Sequence, residues 1–394
     1  MADSRAKRYA RWPQYGGFAA AAALLALIAG FVFYPKQAYP SYLFGFLFWI
    51  GLTLGCLPLL MMHHLTGGKW GFTLRPFFSA GLATLPLMTV LVLPLFFGLK
   101  YLYPWAGLPS KHAAEVLRQR AIYLNTPGVI IRTVVSYAVW LGLTWLLVWR
   151  PVPAEIQPSR LRSRLQLISG VGLVVFCVIT SFTLIDWLMA IESTWYSSIF
   201  PAIVLNGQVL CALALALLLS LPRSNAARID DEQLNHLSTL LFAFIMMWTY
   251  LSVGQLIIIY AGDLPHEISW YLHRMRGSWL WVACVLAIVQ FAVPFILLLF
   301  RGIKKSPKTM TAVTVGQLGI QVIAMFWYTA PAYRHALRLA WTDVVAFVGI
   351  GLAWVVVFSR QASREPRLET LTRDRGVAER ERGVIDRGRG VIKV

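Results

Sequence analysis

The chain has 394 residues, 58% of them hydrophobic and only 13% charged, with a net charge of +19. No soluble domain of ordinary composition has this profile, so it reads as an all-α polytopic membrane protein without room for a soluble domain apart from its tail. In a soluble protein the charge would suggest nucleic acid. Here Lys and Arg lie between and beyond the apolar runs, so they report topology, and no nucleic-acid partner is expected.

Ten spans of about 20 residues are expected at 15–34, 43–63, 79–99, 128–149, 166–190, 196–221, 234–261, 277–300, 311–330 and 340–359. Each is long enough to cross a core of roughly 30 Å. The first run, Tyr15–Phe33, is as long as a spanning helix and no small-residue cleavage site follows, so no cleaved signal is expected. The chain thus divides into an N-terminal segment 1–14, a transmembrane domain 15–359 and a tail 360–394. Lys and Arg number 26 on the side of the termini and 9 on the other. By the positive-inside rule both termini are expected to be cytoplasmic. Cys56, Cys177, Cys211 and Cys284 all fall in apolar runs without CxxC spacing, which supports neither an iron–sulfur cluster nor structural zinc.

Span one reads as an anchor or peripheral helix. Span two carries Gly51 and Gly55, a small-xxx-small face that lets another helix approach. Its end holds His63 and His64, which point about 100° apart and cannot both serve one metal well. All seven histidines lie at span ends or in loops, so no haem ligand and no metal site is expected. The pair reads either as interfacial polar residues or as a cytoplasmic mouth for protons. Span three holds Pro86 and Pro94. In the loop 100–127, residues 109–121 suggest a short surface helix, and Tyr101, Tyr103 and Trp105 an aromatic belt. Arg132, one turn into span four, either snorkels outward or pairs with an outer carboxylate.

The stretch 181–200 organises the chain. Asp186 lies inside a membrane helix, at a cost of roughly 2.5–3.5 kcal/mol on insertion scales, so it should be buried in protein, paired or facing water. Glu192 follows in a short turn before span six. Thr180, Thr183 and Asp186 recur every third residue as a slanted polar seam. Span six carries Asn206 and Gln208. Span seven carries Thr249, Ser252 and Gln255, and leads into a loop with Asp263, His266, Glu267, His273 and Arg274. Thr314, Gln317 and Gln321 share one face of span nine, with Tyr328 two turns on. Such faces serve hydrogen bonds between helices or a hydrated path. Asp343 lies near the outer start of span ten. The tail repeats Arg-Gly-Val at 375, 382 and 389 and reads as disordered near anionic lipid.

The pattern DW-x-M-x-x-E-x-x-WYS-x-IF, from Asp186 to Phe200, resembles a signature of the two large membrane subunits of alternative complex III, a bacterial quinol:electron-acceptor oxidoreductase. The stretches FLFWIGLTLGCLPLLMMHHLTGGKWG at 46–71, YLNTP at 123–127, LPHEISWYL at 264–272 and GSWLWVA at 277–283 resemble the smaller of the two, the ActF type. The resemblance runs from about residue 40 to 345. Where the family pattern has two adjacent carboxylates in the 260s loop, His266 replaces the first and Glu267 keeps the second. The family is related to the NrfD-like, polysulfide-reductase type of membrane anchor.

The resemblance implies two four-helix bundles, spans two to five (43–190) and six to nine (196–330), with peripheral helices. It also implies partners: a sister NrfD-like subunit, an iron–sulfur subunit, c-type cytochromes and a terminal oxidase, within the lipid bilayer. Haem and iron–sulfur clusters would sit on those partners. This chain would hold no covalent cofactor, no redox metal and no catalytic residue of its own, and the better-defined quinol site would belong to the sister subunit. The expected role is scaffold plus proton path. His63 and His64 would form the cytoplasmic mouth, Asp186 and Glu192 the outer part, and Asp263, His266 and Glu267 the exit. Thr183, Ser252, Gln255, Gln317 and Gln321 would hold connecting water. A second version places a quinol, such as menaquinol, against Trp187, Trp195 and Tyr196. The alternative from another class is an independent secondary transporter, which buried carboxylates and broken helices also fit; no inverted repeat is visible.

Overall fold

Lipid offers the backbone no hydrogen-bond partners, so each apolar run must satisfy its own N–H and C=O groups as a helix. The computed structural model describes residues 17–18, 21–107, 120–150, 158–221, 229 and 231–362. The segment 1–14, nearly all of the 109–121 surface helix, the His266 side chain and the Arg-Gly-Val tail lie outside the described residues. The chain is an all-α polytopic membrane protein, without strands among the described residues. A short apolar helix, α1 (Ala21–Phe33), precedes nine that are long and apolar enough to cross a membrane, again among the described residues. These are α2 (Pro35–Thr66), α3 (Trp70–Phe97), α4 (Thr126–Trp149), α5 (Arg160–Glu192), α6 (Phe200–Ser220), α7 (Asp231–Gly262), α9 (Ser278–Leu299), α10 (Pro307–Ala332) and α11 (Trp341–Ala362). Between α7 and α9 lies the shorter α8 (Pro265–Arg274).

Several helices outrun the apolar stretches that reveal them. α2 starts at Pro35, where the proline ring presets the first helical φ, rather than at residue 43. α7 starts at Asp231, with Glu232 beside it, two acids that suit the positive end of a helix. α3 breaks into Lys69–Leu82, Leu85–Leu91 and Leu93–Phe97 at its prolines. The Tyr42 hydroxyl donates to the Leu91 carbonyl at that break, at 2.6 Å. α9 widens into a π-helical segment over Leu286–Ala292, just ahead of Pro294. Pro294 has no N–H to offer the Gln290 carbonyl, and the Gln317 amide of α10 donates to it instead, at 3.3 Å.

Packing sorts the helices into two groups: α2 with α3, α4 and α5, and α6 with α7, α9 and α10. α2 and α6 face each other where the groups meet. In their apolar windows 94% and 72% of residues are buried, against half or fewer elsewhere. Gly51 and Gly55 make this possible. A Cβ on Gly55 would run into the Gln208 carbonyl, and one on Gly51 into the Gln208 side chain. α11 lies along α2, where Gly45 meets the Ala346–Phe347 backbone. Trp49 Nε1 donates to the Phe347 carbonyl at 2.9 Å, and Trp354 Nε1 to Thr53 Oγ1 at 2.8 Å. α1 sits outside, its Ala23 over Gly349 of α11.

Candidate functional site

α4 and α5 run antiparallel, so residues four apart on one meet residues three apart on the other. Arg132 grips the Asp186 carboxylate through Nε and Nη2, at 2.7 and 3.0 Å. Ser136 and Thr183 share a hydrogen bond of 2.7 Å. Trp140 Nε1 donates to Thr180 Oγ1 at 3.1 Å. Trp187 Nε1 donates to Thr133 Oγ1, also at 3.1 Å. The seam of span five is thus a zipper between two helices. The Arg132 guanidinium also lies 3.9 Å from the Tyr123 ring centre and donates to the Tyr123 carbonyl.

Glu192 ends α5 in a 3₁₀ turn, Met189–Glu192. Its carboxylate receives Arg274 Nη1 at 2.5 Å and contacts His273 Nδ1 at 3.1 Å. Arg274 is buried and fully engaged. It donates to the carbonyls of Trp270, Trp327 and Tyr328, and lies over the Trp270 ring at 3.9 Å. His273 is held above the ordinary histidine value by its hydrogen bond to Glu192, which outweighs the opposing effect of burial. Trp195 stacks on Trp270, with ring centres 5.0 Å apart, and its Nε1 donates to the Glu267 carbonyl. The turn between the two bundles is therefore bound to α8 and to the end of α10.

A third clasp has no counterpart in the sequence reading. Asp343 accepts from both Arg334 nitrogens at 2.6 and 2.8 Å, from Ser41 Oγ at 2.6 Å and from the Ala340 N–H at 2.8 Å. Asp186 and Glu192 are each held by an arginine from another part of the chain and Asp343 by one nine residues before it, and all three lie at the same end of the molecule. Arg274 and Arg334 looked like loop charges in the sequence. The usable signal was arginine near a span edge, the reasoning applied to Arg132.

The other expected residues divide. Asp263 is exposed with φ of 45°, and Glu267 is half-buried below Trp195. Tyr196 is exposed, with the Arg120 guanidinium 5.3 Å from its ring centre, whereas Trp187 and Trp195 are buried with their indole N–H groups bonded to protein. Tyr103, expected in an aromatic belt, is buried and donates to the Trp187 carbonyl. At the opposite end, His64 Nδ1 meets Ser169 Oγ at 3.0 Å. His63 is buried against Gly71 with Trp70 and Phe72 edge-on. Among the described residues, no three His, Cys, Asp or Glu side chains come together as a metal site.

The seams of spans seven and nine meet inside the second bundle. Ser252 and Gln255 line a cavity of about 190 Å³ bounded by α6, α7, α9 and α10 and roofed by Trp270 and Tyr271 of α8. Gln321 lies beyond Tyr328 with Gln208, around a space of about 10 Å³, the size of one water. Tyr328 borders both spaces. Gln317 is one turn from Gln321 and reaches Gln290. Gln290 and Trp327 had not been singled out; neither shows a charge or a motif. Comparison with protein-family models and with curated proteins finds no match.

Proposed function

We propose that this chain is an integral membrane subunit of a respiratory quinol:electron-acceptor oxidoreductase of the alternative complex III type. It spans a bacterial inner membrane with both termini in the cytoplasm. It is a scaffold that joins a sister NrfD-like subunit, an iron–sulfur subunit and c-type cytochromes, which carry the haem and clusters and deliver electrons towards a terminal oxidase. One observation carries this reading. Two of the stretches that carry the resemblance, Asp186–Phe200 and 264–272, meet in space: Trp195 stacks on Trp270 and donates to the Glu267 carbonyl. The pattern is thus one joint between two bundles rather than scattered similarities.

In this reading Asp186 and Glu192 are fixed charges, because each is gripped by an arginine in good geometry. The polar seams of Ser252, Gln255, Gln317 and Gln321 would hold the connecting water of a proton path. The test is gentle solubilisation of native membranes and capture of this chain through a tag. Haem c absorbance, an iron–sulfur signal and quinol oxidation should travel with it. A chain that elutes alone and colourless from several mild detergents overturns the proposal, and transport by the chain in vesicles becomes the next measurement.

A further inference from the structure

We propose that the cavity in the second bundle binds the ring of a lipid-soluble quinone or quinol, which enters from the membrane between α7 and α9. The choice of a quinone among neutral ring lipids rests on the functional reading above; the cavity and its chemistry stand without it.

Size is the first argument. A cavity of about 150 Å³ in a protein core holds one benzene ring. The 190 Å³ here takes a single substituted ring and leaves a long tail outside. The walls suit a flat ring, with Trp248, Trp270, Phe291, Trp327 and Tyr328 around it. The way in faces lipid. Val253 and Leu256 on α7 are 46% and 38% exposed, and α9 contributes the small side chains of Ala283 and Ala287 beside Leu286 and Phe291.

The polar groups give the second argument. Gln255 is 2% exposed, yet neither atom of its amide has a hydrogen-bond partner. Ser252 Oγ and Trp327 Nε1, in the same walls, are also without partners. Buried polar groups are costly when left unpaired, and more so in the middle of a membrane. Together they offer an amide donor, an amide acceptor, an indole donor and a hydroxyl. The donors suit quinone carbonyl oxygens, and the amide oxygen suits a quinol hydroxyl, so both redox forms can be held.

The same chemistry excludes other lipids. An acyl chain would fill the space and leave Gln255 unpaired. A phosphate headgroup would find no free cation, since no charged side chain lines the cavity. The nearby Arg274 is already bound by Glu192 and three carbonyls. The site is separate from Trp187 and Trp195, whose indole N–H groups are occupied.

The experiment is photolabelling of the tagged full-length chain in membranes with an azidonaphthoquinone, competed by 2-methyl-1,4-naphthoquinone, with labelled peptides mapped by mass spectrometry. Label should fall on residues 248–256 and 283–291. Gln255→Leu should raise the concentration for half-labelling about tenfold, as expected for loss of a buried hydrogen bond, and Ala287→Phe at the opening should nearly abolish labelling. Label confined to other parts of the wild-type chain overturns the proposal, and that map needs no variant to fold. So does an unchanged Gln255→Leu titration, or competition by phospholipid but not by the naphthoquinone. A chain that labels here but purifies alone keeps the cavity and loses the complex. A chain that purifies with haem but labels elsewhere does the reverse.

Discussion

Arg132 and Asp186 form a two-point ion pair across the α4–α5 interface, with the carboxylate 1% exposed and the guanidinium 27%. Removing one member of such a pair leaves the other charge buried and alone, at a cost of about 3–5 kcal/mol when both are deeply buried. With Arg132 partly exposed, Asp186→Asn should cost about 3 kcal/mol. The double variant Asp186→Asn with Arg132→Gln should regain most of it, measured as melting temperature in detergent. Quinol oxidation by the complex should follow stability and recover with the double variant. An activity loss that the second substitution does not repair would make Asp186 a proton carrier.

The Glu192 clasp should respond to pH through His273. Its hydrogen bond to Glu192 raises the histidine above the ordinary 6.5, while burial and the neighbouring Arg274 and Arg276 pull it down. A group whose folded value is raised stabilises fully below its unfolded value and loses that effect as pH climbs through the folded one. Melting temperature should therefore fall from just above pH 6.5 upward in the wild type relative to His273→Gln. Parallel curves for the two proteins would show that the contact does not contribute.

Two glycine substitutions of the same chemistry should have opposite effects. Gly55→Ala puts a methyl group into the Gln208 carbonyl and forces α2 from α6, at about 1–3 kcal/mol. At Gly142 nothing lies within 4 Å of the added Cβ. There Gly142→Ala should be neutral or stabilise the helix by up to about 1 kcal/mol. Thermal melts of both variants in one detergent make the comparison.

Pro294 and Gln317 should be coupled. Gln317→Leu removes the donor that serves the Gln290 carbonyl and should cost about 1 kcal/mol. In a Pro294→Ala background, position 294 regains an N–H for the same carbonyl. The cost should then shrink, with a coupling energy of at least about 0.5 kcal/mol in a double-mutant cycle. Additive effects would break the link between the proline and the glutamine.

What the sequence made legible is local. The apolar runs marked the spans, and the spacing of Gly51 and Gly55 marked a face that α6 does occupy. Thr180, Thr183 and Asp186 were visible as a slanted seam because their spacing is helical. Partners were harder. Arg274 meets Glu192 across 82 residues and Asp343 meets Ser41 across 302, and no periodicity reports such distances. The π-helical segment in α9 shifts the register of its faces, so Gln290 could not be assigned to an interior by counting in steps of 3.6. The cavity at Gln255 was out of reach for a similar reason. Its walls come from five segments, and only the assembled bundle places Trp327 beside Ser252.

The clasp of α11 on α2 also has a temporal meaning. Ser41 and Asp343 are 302 residues apart, roughly 15–60 s of synthesis at ordinary elongation rates. Until α11 arrives, the Gly45 groove and the Trp49 indole N–H stand open on the flank of α2. A chain arrested before residue 341 therefore leaves this face of α2 to lipid, and the finished protein covers it with α11.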